Sequence, residues 1–89
     1  MGLDSLRVLD KKEGRNRMER ARLSLILGWA YRQVGDPEKA EKAILQAVEL
    51  DPRSARALFE LGRVYEKQGQ IDKAMGAYRK ALAITLGEA

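Results

Sequence analysis

Side chains able to move protons or hold metals are scarce in this chain. It contains no histidine and no cysteine. That removes the commonest general base, the usual zinc ligands and every thiol nucleophile. The ionisable groups that remain are seventeen Lys/Arg and thirteen Asp/Glu. The acids that stand close together, Asp36 with Glu38 and, further on, Asp51, flank Pro37 and Pro52. Such positions suit helix caps better than an acid–base pair. No glycine loop of the phosphate-cradling kind is present. Neither catalysis nor a cofactor or metal is expected.

The basic residues leave a net charge of +4, and it is unevenly spread. Residues 1–22 carry seven Lys/Arg against four Asp/Glu, and the remainder carries ten against nine. A basic stretch next to an aromatic can bind phosphate backbones. Here Glu19, Glu60 and Glu66 are interspersed, so a solvated helix face is the better reading and nucleic-acid binding is disfavoured. The N-terminal apolar stretch is too short for a signal-peptide core, and no segment reaches a membrane-spanning length. A cytoplasmic setting is expected by default.

The elements that must position these residues are helical. At 89 residues there is room for one small domain of marginal stability. Strong helix formers dominate, and β-branched runs are absent. Residues 1–15 read as one or two amphipathic turns around Leu3, Leu6, Val8 and Leu9, or as a frayed end, with a break at Lys11–Gly14. A first helix starts at Asn16, which with Glu19 forms a capping box, and runs to about Val34. Asp36, Pro37 and Glu38 open a second, which ends near Leu50 ahead of Pro52. Ser54 caps a third, to about Gln68. A fourth spans Ile71 to Leu86, with Gly87 as its C-cap.

The chain then repeats itself with a period of 34 residues, as from Gly28 to Gly62. Leu27-Gly28 meets Leu61-Gly62, Tyr31 meets Tyr65, and Gly35 meets Gly69. Lys39-Ala40 meets Lys73-Ala74, Ala43 meets Ala77, and Ala47 meets Ala81. A fixed period of this length signals a solenoid unit. Glycine inside a helix costs about 1 kcal/mol against alanine. That cost, met twice at Gly28 and Gly62, implies close approach of a partner helix, with the small Ala40 and Ala74 at the facing positions. Leu27, Tyr31, Ile44, Leu61, Tyr65 and Tyr78 are expected to fill the layer between helices.

Leu27-Gly28-x-x-Tyr31 followed by Ala40, Ala47 and Pro52 resembles the tetratricopeptide repeat. So does Leu61-Gly62-x-x-Tyr65 followed by Ala74, Tyr78 and Ala81. The resemblance covers residues 21–88 as two repeats, 21–54 and 55–88, after a basic segment 1–20 that matches no preceding half-repeat. The family's tryptophan position holds Ser24 and Leu58, its large aromatic on the second helix is Ile44 in the first copy, and Leu86 stands at the closing proline. The resemblance implies an all-α, right-handed superhelix of helical hairpins, without catalytic activity, whose first helices line a concave groove for a peptide or helix of another protein.

Carried onto this chain, the groove positions are Arg22, Leu25, Trp29, Arg32 and Gln33, then Arg56, Phe59, Arg63, Glu66 and Lys67. The family's carboxylate clamp is ruled out, because its places hold Leu25, Trp29 and Arg63. Trp29 and Phe59 are instead expected to face one hollow, flanked by Arg22, Arg32, Arg56 and Arg63. Large aromatics and arginines are the usual anchors of interfaces.

Two repeats are few for a solenoid, whose units bury apolar faces only against neighbours. The last helix presents Met75, Tyr78, Leu82 and Ile84 without a following helix. Residues 1–15 folding back, two chains sharing faces, or further repeats in a longer chain would each cover it. Self-association is the outcome expected, with straightening at Gly69 as a domain-exchange variant. Gly35 is the poorer hinge, because a helix running through Pro37 costs about 3 kcal/mol.

Overall fold

In the computed structural model, the backbone is described for residues 2–87 and the side chains for residues 16–87. Four helices follow one another: α1 (Gly2–Gln33), α2 (Pro37–Leu50), α3 (Ala55–Lys67) and α4 (Ile71–Leu86). α1 packs on α2, α3 packs on α4, and α2 lies against α3. The chain is thus two helical hairpins side by side, in an all-α repeat.

The start of α1 differs from expectation. Asn16 is no N-cap, and Gly14 breaks nothing, because the helix continues through both. The flanking Lys11, Lys12, Glu13, Arg17, Met18, Glu19 and Arg20 are strong helix formers. They outweigh the roughly 1 kcal/mol that one internal glycine costs. Such an unbroken helix continues along its axis rather than folding back. The expected apolar turn around Leu3, Leu6, Val8 and Leu9 lies outside the described side chains.

Arg17 gives this extension a local anchor. Its Nε donates to the carbonyl of Leu50 at 3.0 Å and its Nη2 to that of Glu49 at 3.5 Å. These carbonyls belong to the last turn of α2, where they lack intrahelical partners and where the helix dipole favours a cation. Arg17→Ala is expected to cost a few tenths to about 1 kcal/mol, read as a small drop in urea midpoint at unchanged slope. An unchanged midpoint would remove Arg17 from the contacts that hold α1 to α2.

The hairpin turns reproduce each other. Gly35 and Gly69 take φ of +83° and +78°, in the left-handed region that glycine enters without strain. In the first turn the N–H of Asp36 donates to Tyr31 O at 2.9 Å, and in the second that of Gln70 donates to Tyr65 O at 2.8 Å. This is the six-to-one bond of a Schellman ending. Asp36 then caps α2 by accepting from the N–H of Lys39 at 3.2 Å, and Ser54 caps α3 by accepting from Ala57 at 3.1 Å. Gln70 stands where Asp36 does and provides no side-chain cap. Lys39 lies over the Tyr31 ring at 5.8 Å and Lys73 over the Tyr65 ring at 5.7 Å, a matched pair of cation–π contacts.

The core is built from Ala40, Ile44, Leu61, Val64 and Ala77, with Leu25, Tyr31, Val48 and Tyr65 packed around it. The two glycines sit where the helices come closest. A Cβ on Gly28 would overlap Ile44, and one on Gly62 would lie 2.5 Å from the Tyr78 ring. Leu27 is the exception among the expected layer residues: it is exposed. Its counterpart Leu61 is buried because α2 covers that side of α3, whereas no described element covers the same side of α1.

Candidate functional site

Arg22, Leu25, Ile26 and Trp29 recur at three- and four-residue steps, so they share one face of α1. Arg56 and Glu60 do the same on α3. The two faces meet in a hollow of about 330 Å³ lined by these six residues. Leu25 is half-buried against the core and forms its floor. Trp29 is 48% exposed, unusual for the chain's single tryptophan.

A second hollow, of about 600 Å³, is lined by Arg32, Phe59, Arg63, Glu66, Lys67 and Tyr78. The Phe59 ring leans on Tyr78 at 5.2 Å between centroids, tilted by 53°, and the Arg63 guanidinium stacks 5.2 Å from the Phe59 centroid. The Tyr78 hydroxyl donates to Glu66 Oε1. Burial first, and then the Glu66 hydrogen bond and charge, push the Tyr78 phenol up to about 12. It therefore remains a proton donor throughout the neutral range.

Between the hollows lies an ion pair. Arg32 Nη2 is 3.3 Å from Glu60 Oε2, with only 13% and 12% of the two side chains exposed. Glu60 lines the Trp29 hollow, and Arg32 lines the Phe59 hollow. This pair sharpens the sequence reading in two ways. Trp29 and Phe59 do not face one hollow; they wall two adjacent ones. Arg32 is not a free groove cation, since Glu60 holds it.

Of the ten expected groove residues, Arg22, Leu25, Trp29 and Arg56 come together in the first hollow. Arg32, Phe59, Arg63, Glu66 and Lys67 come together in the second, while Gln33 is exposed and lines neither. Sequence reasoning missed Ile26 and Glu60 as wall residues. Their signal was present, since Ile26 lies three residues before Trp29 and Glu60 four after Arg56. Among the described residues no three acids gather as a metal site would need. Nor is any helix there long and apolar enough to cross a membrane.

Stacked helical hairpins with a side-chain-lined groove define a helical-repeat scaffold. The family model for the tetratricopeptide repeat matches residues 25–88. A TPR repeat-containing protein of Methanocaldococcus jannaschii is 32% identical over 59 residues, covering 66% of this chain and 10% of that protein. The chain thus spans about a tenth of the length of this curated relative. It belongs to the tetratricopeptide repeat family, whose repeats mediate protein–protein interaction.

Proposed function

We propose that this chain binds an amphipathic peptide or helix of another protein in the groove formed by α1 and α3, with Trp29 as the central anchor. The observation that carries this reading is the half-exposed Trp29 in an apolar-floored hollow with Arg22 and Arg56 at its rim. A large aromatic beside arginines, next to a second aromatic hollow, is the composition of an interface hot spot. The rim cations Arg22, Arg56 and Arg63 favour a ligand with acidic flanks. Glu60, already paired with Arg32, does not oppose it strongly.

The test is calorimetric titration with a short helical peptide carrying aliphatic residues on one face and glutamates at its flanks. A scrambled peptide of the same composition is the control. Trp29→Ala is expected to weaken binding about thirtyfold, the equivalent of a 2 kcal/mol hot spot. Arg63→Ala should weaken it less, with a salt dependence. Equal affinity for the scrambled peptide, or no loss in Trp29→Ala, would overturn the proposal.

A further inference from the structure

Arg63 stands on α3 between two carboxylates, Glu60 three residues before it and Glu66 three after. On a helix both lie within ion-pair reach of it. It pairs with neither. Glu60 is held by Arg32 of α1, and Glu66 accepts from the Tyr78 hydroxyl of α4. Among the described residues Arg63 makes no ion pair. Its guanidinium lies over the Phe59 ring instead, 5.2 Å from the centroid. Two neighbouring helices thus engage the acids that would neutralise it.

Lys67 follows one turn later, lines the same hollow and is likewise without an ion pair among the described residues. Like charges four residues apart on a helix repel. Lys67 has a local reason, since it stands in the last turn of α3, where the dipole favours a cation. Arg63 lies a turn further in and has no such reason. Nor does the repeat require the pair, because the positions one period earlier hold Trp29 and Gln33.

Both cations line an open hollow of about 600 Å³. Arg32, which also lines it, is cancelled by Glu60. Two cations against the one remaining carboxylate, Glu66, leave a single net positive charge there. That balance matches a carboxylate rather than a phosphate, which carries close to two negative charges. A carboxylate also suits the guanidinium fork, whose freedom the Phe59 contact already reduces.

We propose that the Phe59 hollow is a receptor for one acidic side chain of the bound peptide, with Arg63 as its main contact, Lys67 as its second, and Tyr78 as the positioning residue that keeps Glu66 from occupying Arg63. The inference rests on the peptide-binding reading above and adds a register to it. From Arg56 and Glu60 in the Trp29 hollow to Arg63 and Lys67 is seven residues of α3, about 10 Å along its axis. A helical peptide lying along α3 therefore carries its apolar anchor and its acid two turns apart.

The test uses C-terminally amidated helical peptides with an aliphatic anchor and neutral flanks, in which one glutamate replaces glutamine at successive positions on either side of the anchor. Calorimetric titration reads the preference for glutamate over glutamine at each position. About tenfold is expected at one position, two turns from the anchor on one side, and little elsewhere. Arg63→Gln should abolish it. Arg63→Lys, which keeps the charge and loses the fork, should leave about threefold or less. Tyr78→Phe should shrink it too, because the freed Glu66 then competes for Arg63. An unchanged ratio in Tyr78→Phe would remove Tyr78 from the positioning role. Circular dichroism checks that the variants fold. A preference equal at every position, or one that survives Arg63→Gln, marks long-range attraction and overturns the proposal, as does no preference at all. A phosphoserine that binds more tightly than glutamate at that position would overturn the assignment to a carboxylate. These outcomes leave anchoring at Trp29 intact. If neither the glutamate nor the glutamine peptides bind, the groove reading itself fails and the receptor with it.

Discussion

Gly28→Ala is expected to destabilise the protein by about 1–3 kcal/mol, although alanine is the better helix former by about 1 kcal/mol. The new Cβ would overlap Ile44 Cγ1 and lie 3.0 Å from its Cδ1 and 3.2 Å from the carbonyl oxygen of Ala40. Ile44 is wholly buried, and Ala40 O is backbone, so neither can step aside cheaply. Gly62→Ala is the internal control. The atoms nearest its Cβ all belong to the Tyr78 ring, at 2.5–2.8 Å, and that ring is half-buried on the groove wall. The ring can swing outward, so helix propensity should offset most of the cost. Urea unfolding should therefore order the midpoints wild type, then Gly62→Ala, then Gly28→Ala. The reverse order would show that α1 and α2 are not held at the spacing described. Ile44→Ala alone should cost about 2–5 kcal/mol through the cavity it leaves. Combined with Gly28→Ala it should cost less than the sum, because the added methyl enters space that the isoleucine vacated.

These glycines also show what was legible before the structure was known. A residue that harms its own helix, met twice at one period, points to a tertiary reason, and the reason is contact with the second helix. Turn chemistry was equally readable. Asp36, Pro37, Ser54, Gly35 and Gly69 act locally, within a few bonds of the backbone groups they satisfy. The start of α1 was misread because capping is a local preference that a continuing helix overrides. Asn16 and Glu19 make a good box only if the chain before them is not helical. Leu27 was misplaced for a different reason. The family pattern gives each position the environment of an interior repeat, whereas α1 has no described neighbour on that side. The ion pair between the hollows was beyond reach as well. Arg32 and Glu60 are 28 residues apart, on different hairpins and at no shared repeat position, so only the packing of α1 near α3 brings them together.

That ion pair sets up the second large effect. Arg32→Met is expected to cost about 3 kcal/mol, because it leaves the short Glu60 side chain holding an unpaired charge between α1 and α3. The contact at 3.3 Å is the main compensation either group has, since Arg32 Nε and Glu60 Oε2 make no hydrogen bond among the described residues. Glu60→Leu should cost less. The guanidinium left behind sits on a long stem at the edge of the Phe59 hollow and can turn toward water. The double variant, Arg32→Met with Glu60→Leu, should be closer to wild type than Arg32→Met alone, since apolar side chains of similar volume avoid the desolvation that the pair must overcome. A double-mutant cycle from urea midpoints measures the coupling. Simple additivity would mean that the two groups do not compensate each other. The same double variant also tests the groove reading. If Arg32 serves Glu60 rather than a ligand, an acidic-flanked peptide should bind the double variant nearly as well as the wild type, whereas Arg63→Ala, which removes a rim cation that makes no ion pair among the described residues, should bind it more weakly.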